Sequence, residues 1–313
     1  MGGLLVVGDA VTDVVALHAV PVATGTDTAA DIVVRPGGSG ANTASWAAHL
    51  GADTRILTRV GYDTGPWHIA ELRGAGVRPH IRVDPAHPTA VVIAMVDGSG
   101  ERSMLTNRGA GGRIGPDDWD ESLLDGVSHL HVSGYTLFAE PGLELVRLAV
   151  RAALARDVRV SVDPASTGFL REFGPERFLR ETAAASVVIP NRDEALLLTG
   201  ERDVSAAAAA LSAHYGTAAV KLGAAGALLA VGGRIVCRAP AADARAVDST
   251  GAGDAFAAGF LSALIAGLSP ASSLDAGCSA GAAAVTRLGG RPGSARGVHS
   301  VTGPANDEPL CSP

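Results

Sequence analysis

The sequence predicts an α/β protein with a doubly wound, mostly parallel sheet, helices on both faces and a small additional β unit. Two observations support this fold class. Short apolar runs, many of them rich in β-branched residues, alternate along the chain with longer stretches rich in alanine and leucine, which is the pattern of repeated strand–helix units. The short runs are apolar at most positions, as expected for strands that are buried on both faces of a parallel sheet.

The predicted core elements follow this alternation from the N-terminus. Buried strands are expected at residues 4–8, 55–60, 129–132, 159–162, 187–189 and 218–222. Helices are expected at residues 40–50, 142–155, 206–213, 251–266 and 271–287. Crossover connections between parallel strands would place these helices on both sides of the sheet.

Two segments in the N-terminal third interrupt the alternation and predict antiparallel hairpins. One pairs residues 14–20 with 31–35, and the other pairs residues 89–97 with 101–107 around the turn Asp97-Gly98-Ser99-Gly100. Both are too short to hold a core, so we expect them to form a β lid, from segments at about 14–35 and 89–108. The main domain is expected to span residues 1–300, followed by a flexible tail at 301–313 that is rich in polar residues and proline.

The composition excludes several classes of protein. Hydrophobic residues make up 47% and charged residues 18%, which predicts a soluble globular protein. The net charge of −7 argues against nucleic acid or an anionic membrane as a partner, so any phosphate must be bound locally. Cys237, Cys278 and Cys311 are too far apart for a zinc module or a disulfide framework, and we expect neither a signal peptide nor a membrane span; these features predict a cytoplasmic protein. Lys221 is the only lysine, which excludes the P-loop pattern.

The most informative stretch is a glycine-rich turn that leads directly into an apolar helix at residues 247–260. The N–H groups of Gly251, Ala252 and Gly253 would open this helix, where unpaired donors and the helix dipole bind an anion such as a transferring phosphoryl group. Asp254 has two interpretations. It could complement the helix dipole, or it could act as a general base on an incoming hydroxyl, because a carboxylate beside a bound phosphate is otherwise repelled.

Four motifs, in order along the chain, resemble those of the PfkB, or ribokinase-like, family of carbohydrate kinases. Residues 248–254 (Asp-Ser-Thr-Gly-Ala-Gly-Asp) resemble its C-terminal signature, and residues 36–44 (Pro-Gly-Gly-Ser-Gly-Ala-Asn-Thr-Ala) resemble its N-terminal Gly-Gly-x-Gly-x-Asn motif. Residues 191–194 are similar to its Asn-x-x-Glu motif, and residues 221–227 to its nucleotide-site loop. The matches extend from about residue 5 to about 293 and imply a ribokinase-like fold, a doubly wound core with a β lid.

The resemblance places a sugar at the N-terminal motif. Gly37 and Gly38 would let the sugar pack on the main chain, Asn42 offers a donor and an acceptor, and Asp13 lies where similar kinases bind two sugar hydroxyls. A tight glycine turn and a solvated loop acid are the ordinary alternatives. Arg108, after the second hairpin, either faces solvent or contacts an anionic sugar acid.

Nucleotide and Mg²⁺ sites are implied in the same way. Asn191 and Glu194 can form a capping box at a strand–helix junction, and the resemblance implies that they also hold Mg²⁺, largely through water. Lys221, Gly223 and Gly226 belong to the loop that lies against ATP in the family. The two glycines could instead form a plain hairpin turn, and the Lys221 side chain could point elsewhere.

A site for a monovalent cation, K⁺, is implied near the C-terminal signature. Asp248 and Thr250, together with backbone carbonyls at Ala284 and Gly289, would surround the ion. The alternative is a helix that simply ends at a glycine. Gly293 departs from the pattern, because ribokinases often supply a hydroxyl ligand there.

The resemblance implies an ATP-dependent kinase that phosphorylates a hydroxymethyl group of a small sugar, with ribose, fructose and 2-keto-3-deoxygluconate all open as substrates. A nucleoside kinase acting on adenosine or pseudouridine is an alternative within the family. A protein that senses a sugar without catalysis is an alternative from another class. Apart from the small-molecule substrate, the partner we expect is a second copy of the chain, paired through the lid.

Overall fold

The computed structural model describes residues 2–98 and 102–293. Within these residues the strands are β1 (Gly3–Val7), β2 (Val11–Leu17), β3 (Asp31–Gly37), β4 (Thr54–Gly61), β5 (Arg78–Asp84), β6 (Ala90–Val96), β7 (Arg102–Asn107), β8 (Val127–Ser133), β9 (Arg159–Asp163), β10 (Val187–Val188), β11 (Thr217–Lys221), β12 (Ala227–Val231) and β13 (Arg234–Ala239). The helices are α1 (Ser39–His49), α2 (Gly65–Gly74), α3 (Glu140–Leu154), α4 (Thr167–Phe173), α5 (Pro175–Glu181), α6 (Arg192–Thr199), α7 (Val204–Tyr215), α8 (Ala252–Ile265) and α9 (Pro270–Val285).

The central sheet confirms the predicted doubly wound α/β class. Its strand order is β13-β12-β11-β10-β9-β8-β1-β4-β5, and its strands are parallel from β11 to β5. Only β12 and β13 run antiparallel, at one edge. The chain leaves β1 towards β4 on one side and later returns to β8 on the other, so the order reverses beside β1. In open α/β sheets, ligands bind in the crevice at the carboxyl ends of the strands at such a reversal.

Helices cover both faces of this sheet, as predicted. Leu5 and Val7 of β1 belong to a core that includes α3 and α7, whereas Leu4 and Val6 point to the opposite face and pack with α1, α8 and α9. This alternation follows from the two-residue period of a strand. It explains why the predicted strands are apolar at consecutive positions.

The two predicted hairpins are present and join into one sheet. This second sheet has the order β3-β2-β6-β7, in which β2 pairs antiparallel with β3 and parallel with β6. The apolar alternation indicated each hairpin, but the parallel pairing of β2 with β6 depends on residues far apart in sequence. Ser99 and Gly100 of the predicted turn, and the predicted tail at 301–313, lie outside the described residues.

Several elements were not predicted. The edge strand β5 reads Arg-Pro-His-Ile-Arg-Val-Asp and is mostly exposed or half-buried, so it lacks the apolar run by which the other strands were recognised. The edge strand β13 and the helices α2, α4 and α5 also went unrecognised, whereas the sequence indicated the start of α6 at Asn191 and the turn that leads into β12. No helix in the described part of the chain has both the length and the apolar content needed to cross a membrane.

Candidate active site

The site begins where β1 ends, at the reversal of strand order. Asp9 accepts hydrogen bonds from the N–H groups of Ser39 (3.2 Å) and Gly40 (3.1 Å) and so holds the N-terminus of α1. Gly38 has a φ of 96°, and a Cβ on Gly40 would lie 2.6 Å from the Cα of Gly8. Glycine is therefore required at both positions of the motif, by a left-handed backbone at Gly38 and by close backbone contact at Gly40.

Asp254 lies in the first turn of α8, and two side chains from α1 hold it. The Ser39 hydroxyl donates to its Oδ1 at 2.9 Å, and the Asn42 amide donates to its Oδ2 at 2.8 Å. These bonds connect residues more than 200 positions apart in sequence, because the N-termini of α1 and α8 converge at the same edge of the sheet. The carboxylate is thus fixed in orientation beside the start of a helix.

Electrostatics leave Asp254 suited to proton transfer. Burial raises its pKa to about 6, and the neighbouring Asp163 acts in the same direction. The hydrogen bonds from Asn42 and Ser39 and the charge of Lys221 oppose this rise. The carboxyl is therefore mostly ionised at neutral pH, yet its pKa is close enough to the operating pH for a general base.

The predicted anion site lies directly before Asp254. Gly251 caps α8 with a φ of 74°, and a Cβ there would collide with the backbone of Gly290. The N–H of Ala252 donates to the Ser249 carbonyl across a long 3.3 Å, whereas within the described residues the N–H groups of Gly251 and Gly253 have no backbone partner. Two of the three predicted donors are thus fully available to an anion.

Lys221 points towards this helix start. Its Nζ donates to Asp163 Oδ2 at 2.5 Å and would lie 3.4 Å from a Cβ placed on Gly253. Burial lowers the pKa of Lys221, but the charges of Asp163 and Glu194 outweigh it and raise the pKa above its ordinary value, so the ammonium stays charged. Sequence reasoning left the direction of this side chain open; the fold places its charge beside the N–H groups of the predicted anion site.

Asp163, the partner of Lys221, was missed by the sequence analysis. It ends β9 and accepts a hydrogen bond from the N–H of Ala165, a non-glycine residue with a φ of 72°. A left-handed backbone costs an alanine about 1 kcal/mol. An acid that ends a buried parallel strand was the available signal, since such strand ends line the ligand crevice.

Asn191 and Glu194 form the predicted capping box of α6. The N–H of Glu194 donates to Asn191 Oδ1 at 2.9 Å, and the N–H of Asn191 donates to Glu194 Oε2 at 2.8 Å. Glu194 is only 2% exposed, and burial together with Asp163 raises its pKa to about 7, against the opposing charge of Lys221. Glu194, Asp163 and Lys221 therefore form one group of interacting charges beside the predicted anion site.

The predicted nucleotide loop is the turn between β11 and β12. Gly223 has a φ of 61° and Gly226 a φ of 86°, and a Cβ on Gly226 would collide with the Ala239 carbonyl. The Gly226 carbonyl accepts a hydrogen bond from the Leu222 N–H at 2.8 Å. These glycines therefore make the tight antiparallel connection that was the ordinary alternative. The turn follows Lys221 and so lies at the same edge of the sheet as the predicted anion site.

The residues predicted to hold the sugar lie near the base of the second sheet. Asp13, on β2, packs so closely against Gly37 that a Cβ on Gly37 would collide with the carboxylate. Burial raises the pKa of Asp13 to about 7, opposed by Arg291, while Asp9, Asp254 and Asp248 raise it further. Asp13, Asp9 and Asp254 thus belong to one electrostatically connected site.

Asn42 and Arg108 have structural partners that the sequence did not indicate. The amide nitrogen of Asn42 is committed to Asp254, which leaves its buried Oδ1 without a partner in the described chain. Arg108 donates to the carbonyls of Tyr135 (2.6 Å) and Phe138 (3.0 Å) and is half-buried, so it does not simply face solvent. It holds the segment that follows β8 against the chain that leaves the second sheet.

Of the residues predicted to bind a cation, Asp248, Thr250 and Gly289 lie together, whereas the Ala284 carbonyl is bonded elsewhere. Asp248 Oδ1 accepts from the N–H (3.0 Å) and the hydroxyl (2.8 Å) of Thr250, and its Oδ2 accepts from the Gly289 N–H at 2.9 Å. The carbonyl that meets this loop is that of Val285, which accepts from the N–H groups of Val247 and Asp248. The Ala284 carbonyl accepts from the Arg287 N–H at 3.2 Å, since it belongs to the end of α9.

Comparison with known proteins shows the family to which this chain belongs. The pattern of the pfkB family carbohydrate kinases matches residues 1–295. The chain is 31% identical over 258 residues to a 2-dehydro-3-deoxygluconokinase of Thermoproteus tenax, covering 79% of this chain and 78% of the relative. It is 33% identical over 228 residues to an ATP-dependent ribose-1-phosphate kinase of Halopiger xanaduensis, covering 72% of each.

A solved structure of adenosine kinase from Sinorhizobium meliloti superposes with a TM-score of 0.83 at 26% identity, covering 93% of this chain and 96% of that one. The ribokinase-like fold expected from the motifs is thereby confirmed. Because the family pattern matches almost the whole chain and two relatives exceed 30% identity, this protein belongs to the pfkB family of carbohydrate kinases.

Proposed function

We propose that this kinase transfers the γ-phosphoryl group of ATP to a hydroxymethyl group of a small sugar, with Asp254 as the general base. The observation that carries the proposal is the placement of Asp254: a buried carboxylate, held by Ser39 and Asn42, next to the unpaired N–H groups at the start of α8. A base and an anion site side by side are what phosphoryl transfer to a hydroxyl requires.

The reaction follows from this geometry. The sugar hydroxyl donates to Asp254, which accepts its proton as the oxygen attacks the γ-phosphorus; the bond from that phosphorus to the β,γ-bridging oxygen breaks, and ADP leaves. The transferring group lies at the N–H groups of Gly251 and Gly253, where the helix dipole favours its negative charge. Lys221 adds a positive charge at the same place, and Asp163 holds the ammonium in position.

ATP and Mg²⁺ would be held on the other side of this anion site. The turn at Gly223 and Gly226 would contact the nucleotide, and Asn191 and Glu194 would hold Mg²⁺ through water. The described residues contain no group of three His, Cys, Asp or Glu side chains that could hold a metal ion directly, which suits an ion bound mainly through water and phosphates. When bound, Mg²⁺ neutralises phosphate charge.

The sugar would lie between the core and the second sheet. Asp13 would accept hydrogen bonds from two hydroxyls, Gly37 and Gly38 would form the floor, and the free Oδ1 of Asn42 would accept a third. Arg108, which donates to the Tyr135 carbonyl, would contact the sugar from that side. The second sheet would act as the lid, which excludes water from the reacting phosphoryl group.

A monovalent cation would bind at the loop of Asp248 and Thr250, with carbonyls near Ala284 and Gly289 completing the site. We propose K⁺, because the Asp248 carboxylate, the Thr250 hydroxyl and the nearby Val285 carbonyl are oxygen groups of the kind that such an ion binds. By holding the turn before Gly251, the ion would fix the N–H groups that receive the phosphoryl group.

A nucleoside is the second candidate acceptor, favoured by an aromatic cluster beside Arg108. Phe138 and Phe169 stack with ring centroids 5.7 Å apart, and Tyr135 meets Phe169 edge-on at 5.7 Å. The charges of Asp9 and Asp254 reach Tyr135, so the cluster adjoins the proposed site. A planar base could stack there. A protein that only senses a sugar is disfavoured, because the base and its anion site are both complete.

The lid also carries the proposed dimer interface. Val34, Val14, Ile93 and Leu105 are neighbours in register across the four strands, on the face opposite Asp13. Val34 is 51% and Leu105 is 58% exposed, which makes a row of apolar side chains that a second copy of the chain would cover. We further propose a cytoplasmic location, in keeping with the free thiols of Cys237 and Cys278, and no nucleic-acid or membrane partner.

The test is an ADP-release assay with ribose, fructose, 2-keto-3-deoxygluconate, adenosine and pseudouridine, combined with detection of the phosphorylated product. We expect phosphorylation of at least one acceptor, and a loss of about 10²–10⁴ in kcat for Asp254→Asn, because a positioned base contributes that much. ATP affinity should be little changed. Near wild-type turnover of Asp254→Asn, or no product from any acceptor, would contradict the proposal.

A further inference from the structure

The segment that follows α9 contains an arginine that the proposed mechanism does not use. Arg291 donates from Nη2 to the Gly37 carbonyl at 2.9 Å. Its Nε and Nη1 atoms are buried and have no hydrogen-bond partner in the described part of the chain. The guanidinium thus reaches from the C-terminal part of the domain to the glycine motif of the sugar site, 254 positions earlier.

Burying a guanidinium without a close carboxylate is unfavourable. Burial lowers the pKa of Arg291 to about 10, opposed by the charges of Glu71, Asp13 and Asp9. Taking an unpaired charge out of water costs several kcal/mol, so a buried arginine at this position needs a reason. The nearby charges of Asp13 and Asp9 indicate that the reason lies in the sugar site.

Gly37 connects Arg291 to Asp13. Its carbonyl accepts from the guanidinium, and its Cα packs against the Asp13 carboxylate so closely that no side chain fits there. On the other side of this segment, Gly290 meets Gly251 of the anion site, and its carbonyl accepts from Trp46 Nε1 at 2.9 Å. The position of Arg291 is therefore fixed from two sides.

Apart from Arg291, the charged groups that shift the pKa of Asp13 are all acidic. Asp9 after β1, Asp254 on α8 and Asp248 in the loop before α8 all disfavour a charge on Asp13, and Arg291 favours it. Arg35, opposite Asp13 on β3, donates to the Leu288 carbonyl instead. His68, from α2, lies close enough to feel the charge of Arg291; its Nε2 is bonded to Thr12, and burial keeps it neutral.

We propose that Arg291 is a positioning residue, which keeps Asp13 ionised and oriented so that it can accept hydrogen bonds from two hydroxyls of the acceptor. This role rests on the proposed function of Asp13 as the sugar-binding carboxylate. An ionised carboxylate accepts two hydrogen bonds at once, whereas a protonated carboxyl offers a donor that two sugar hydroxyls do not need. Arg291 thus acts on the acceptor through Asp13 and Gly37.

The sign of the effect can be stated from the charges. The pKa of Asp13 is already raised to about 7 by burial, and the charge of Arg291 lowers it. Removing that charge should raise the pKa further, by about one unit for an opposite charge beyond direct contact. The ionised fraction of Asp13 at pH 7 should then be smaller than in wild type. At lower pH the difference should approach about tenfold.

The first test needs no enzymatic activity. The side-chain carboxyl of Asp13 is titrated by ¹³C NMR in the full chain, and its signal is assigned from its absence in Asp13→Asn. We expect Arg291→Gln to raise the Asp13 titration midpoint by about one pH unit. Arg35→Gln is the matched control, because it removes the other hydrogen bond between β3 and this segment and should leave the midpoint within about 0.3 unit. An unchanged midpoint in Arg291→Gln would overturn the proposal.

Arg291→Lys keeps the test decisive if the glutamine variant does not fold. It retains the charge, so the Asp13 midpoint should stay within about half a unit of wild type. A rise of a full unit in the lysine variant would show that charge is not the cause and would overturn the proposal.

The second test uses the substrate found in the ADP-release assay. In Arg291→Gln the acid limb of the pH profile of kcat/KM should shift to higher pH by the same one unit. KM for the acceptor should be higher at pH 7, and kcat at saturating acceptor should be unchanged. A lower kcat with an unchanged KM would overturn the role through Asp13. If wild type phosphorylates no acceptor, the proposed function fails, while the NMR titration still decides the role of Arg291.

Discussion

At the residue scale, the chemistry depends on a small number of side chains whose charges are balanced against burial. Asp254 is the clearest case: burial raises its pKa to about 6, and two hydrogen bonds and the charge of Lys221 limit that rise. Lys221 shows the converse, because the carboxylates around it keep a buried ammonium charged. Both residues therefore carry, at neutral pH, the charges that the proposed phosphoryl transfer requires.

The pKa of Asp254 predicts the pH dependence of turnover. Below a pH of about 6 the carboxyl is protonated and cannot accept the hydroxyl proton, so kcat should fall about tenfold for each further pH unit. Above about pH 7 kcat should become independent of pH. Initial rates at saturating acceptor and ATP, from about pH 4.5 to about pH 9 in a buffer of constant ionic strength, measure this dependence. A kcat that stays constant down to about pH 5 would contradict the role of Asp254 as base.

The ammonium of Lys221 should stabilise the transferring phosphoryl group. We expect Lys221→Met to lower kcat by about 10²–10³, the usual cost of losing one charge-stabilising donor, with little change in acceptor KM. Asp163→Asn is the comparison, because it keeps the Lys221 ammonium but removes the carboxylate that holds it. The decrease in kcat should be smaller in this variant. Steady-state kinetics with melting curves for each variant test this. Wild-type kcat in a folded Lys221→Met would exclude Lys221 from catalysis.

At the element scale, helix N-termini organise the site. The N-terminus of α8 supplies the anion site and carries Asp254, the N-terminus of α1 supplies Ser39 and Asn42, and the capping box of α6 places Glu194 nearby. α6 follows β10 of the central sheet, α1 follows β3 of the second sheet, and α8 follows the loop after β13. Glycines at the N-termini of α1 and α8 let the backbone of each of these helices approach neighbouring backbone closely.

The loop before α8 predicts activation by K⁺. Asp248 holds the turn through Thr250 and Gly289, so an ion at this loop should fix the donors at Gly251 and raise kcat with little effect on acceptor KM. Gly293 offers no hydroxyl ligand, so a modest affinity is expected. The measurement is the initial rate in KCl against NaCl at constant ionic strength, with Asp248→Ala as control. A rate that is the same in both salts would leave Asp248 as a turn-stabilising residue.

At the scale of the whole molecule, two sheets have different tasks. The nine-stranded sheet is buried between helices and positions the proposed catalytic groups, while the four-stranded sheet presents Asp13 on one face and exposed apolar residues on the other. Arg35 and Arg291 connect this second sheet to the segment after α9. The second sheet is therefore bonded to the same short segment whose Gly290 packs against Gly251 of the proposed anion site.

The exposed face of the second sheet predicts a dimer. Ile32 is 63% exposed and lies on the same face as Val34, so Ile32→Asp should place a charge in the proposed interface and shift the protein towards monomer. Leu154→Asp, at a 48% exposed position on α3, is the matched control and should not change the assembly. Sedimentation velocity over a range of concentrations measures both. A monomeric wild-type protein would exclude this interface.

The sequence by itself determined the fold class, and it placed the proposed anion site and Asp254 at the start of a helix, because these depend on local patterns. Apolar periodicity identifies buried strands and helices, and a glycine-rich turn before a helix identifies unpaired donors. The capping box of Asn191 and Glu194 was equally readable, since its two partners are three residues apart. Edge strands such as β5 were missed because exposure removes the apolar signal.

Only the tertiary structure decided which side chains meet. The use of the Asn42 amide to hold Asp254, the pairing of Lys221 with Asp163 and the approach of Arg291 to Gly37 each join segments at least 58 positions apart. Such contacts depend on how helices and strands pack against one another, and no local pattern encodes a side-chain direction across that packing. The physical reason is that burial and neighbouring charge, which set the pKa of Asp13 and Asp254, exist only once the core has closed around them.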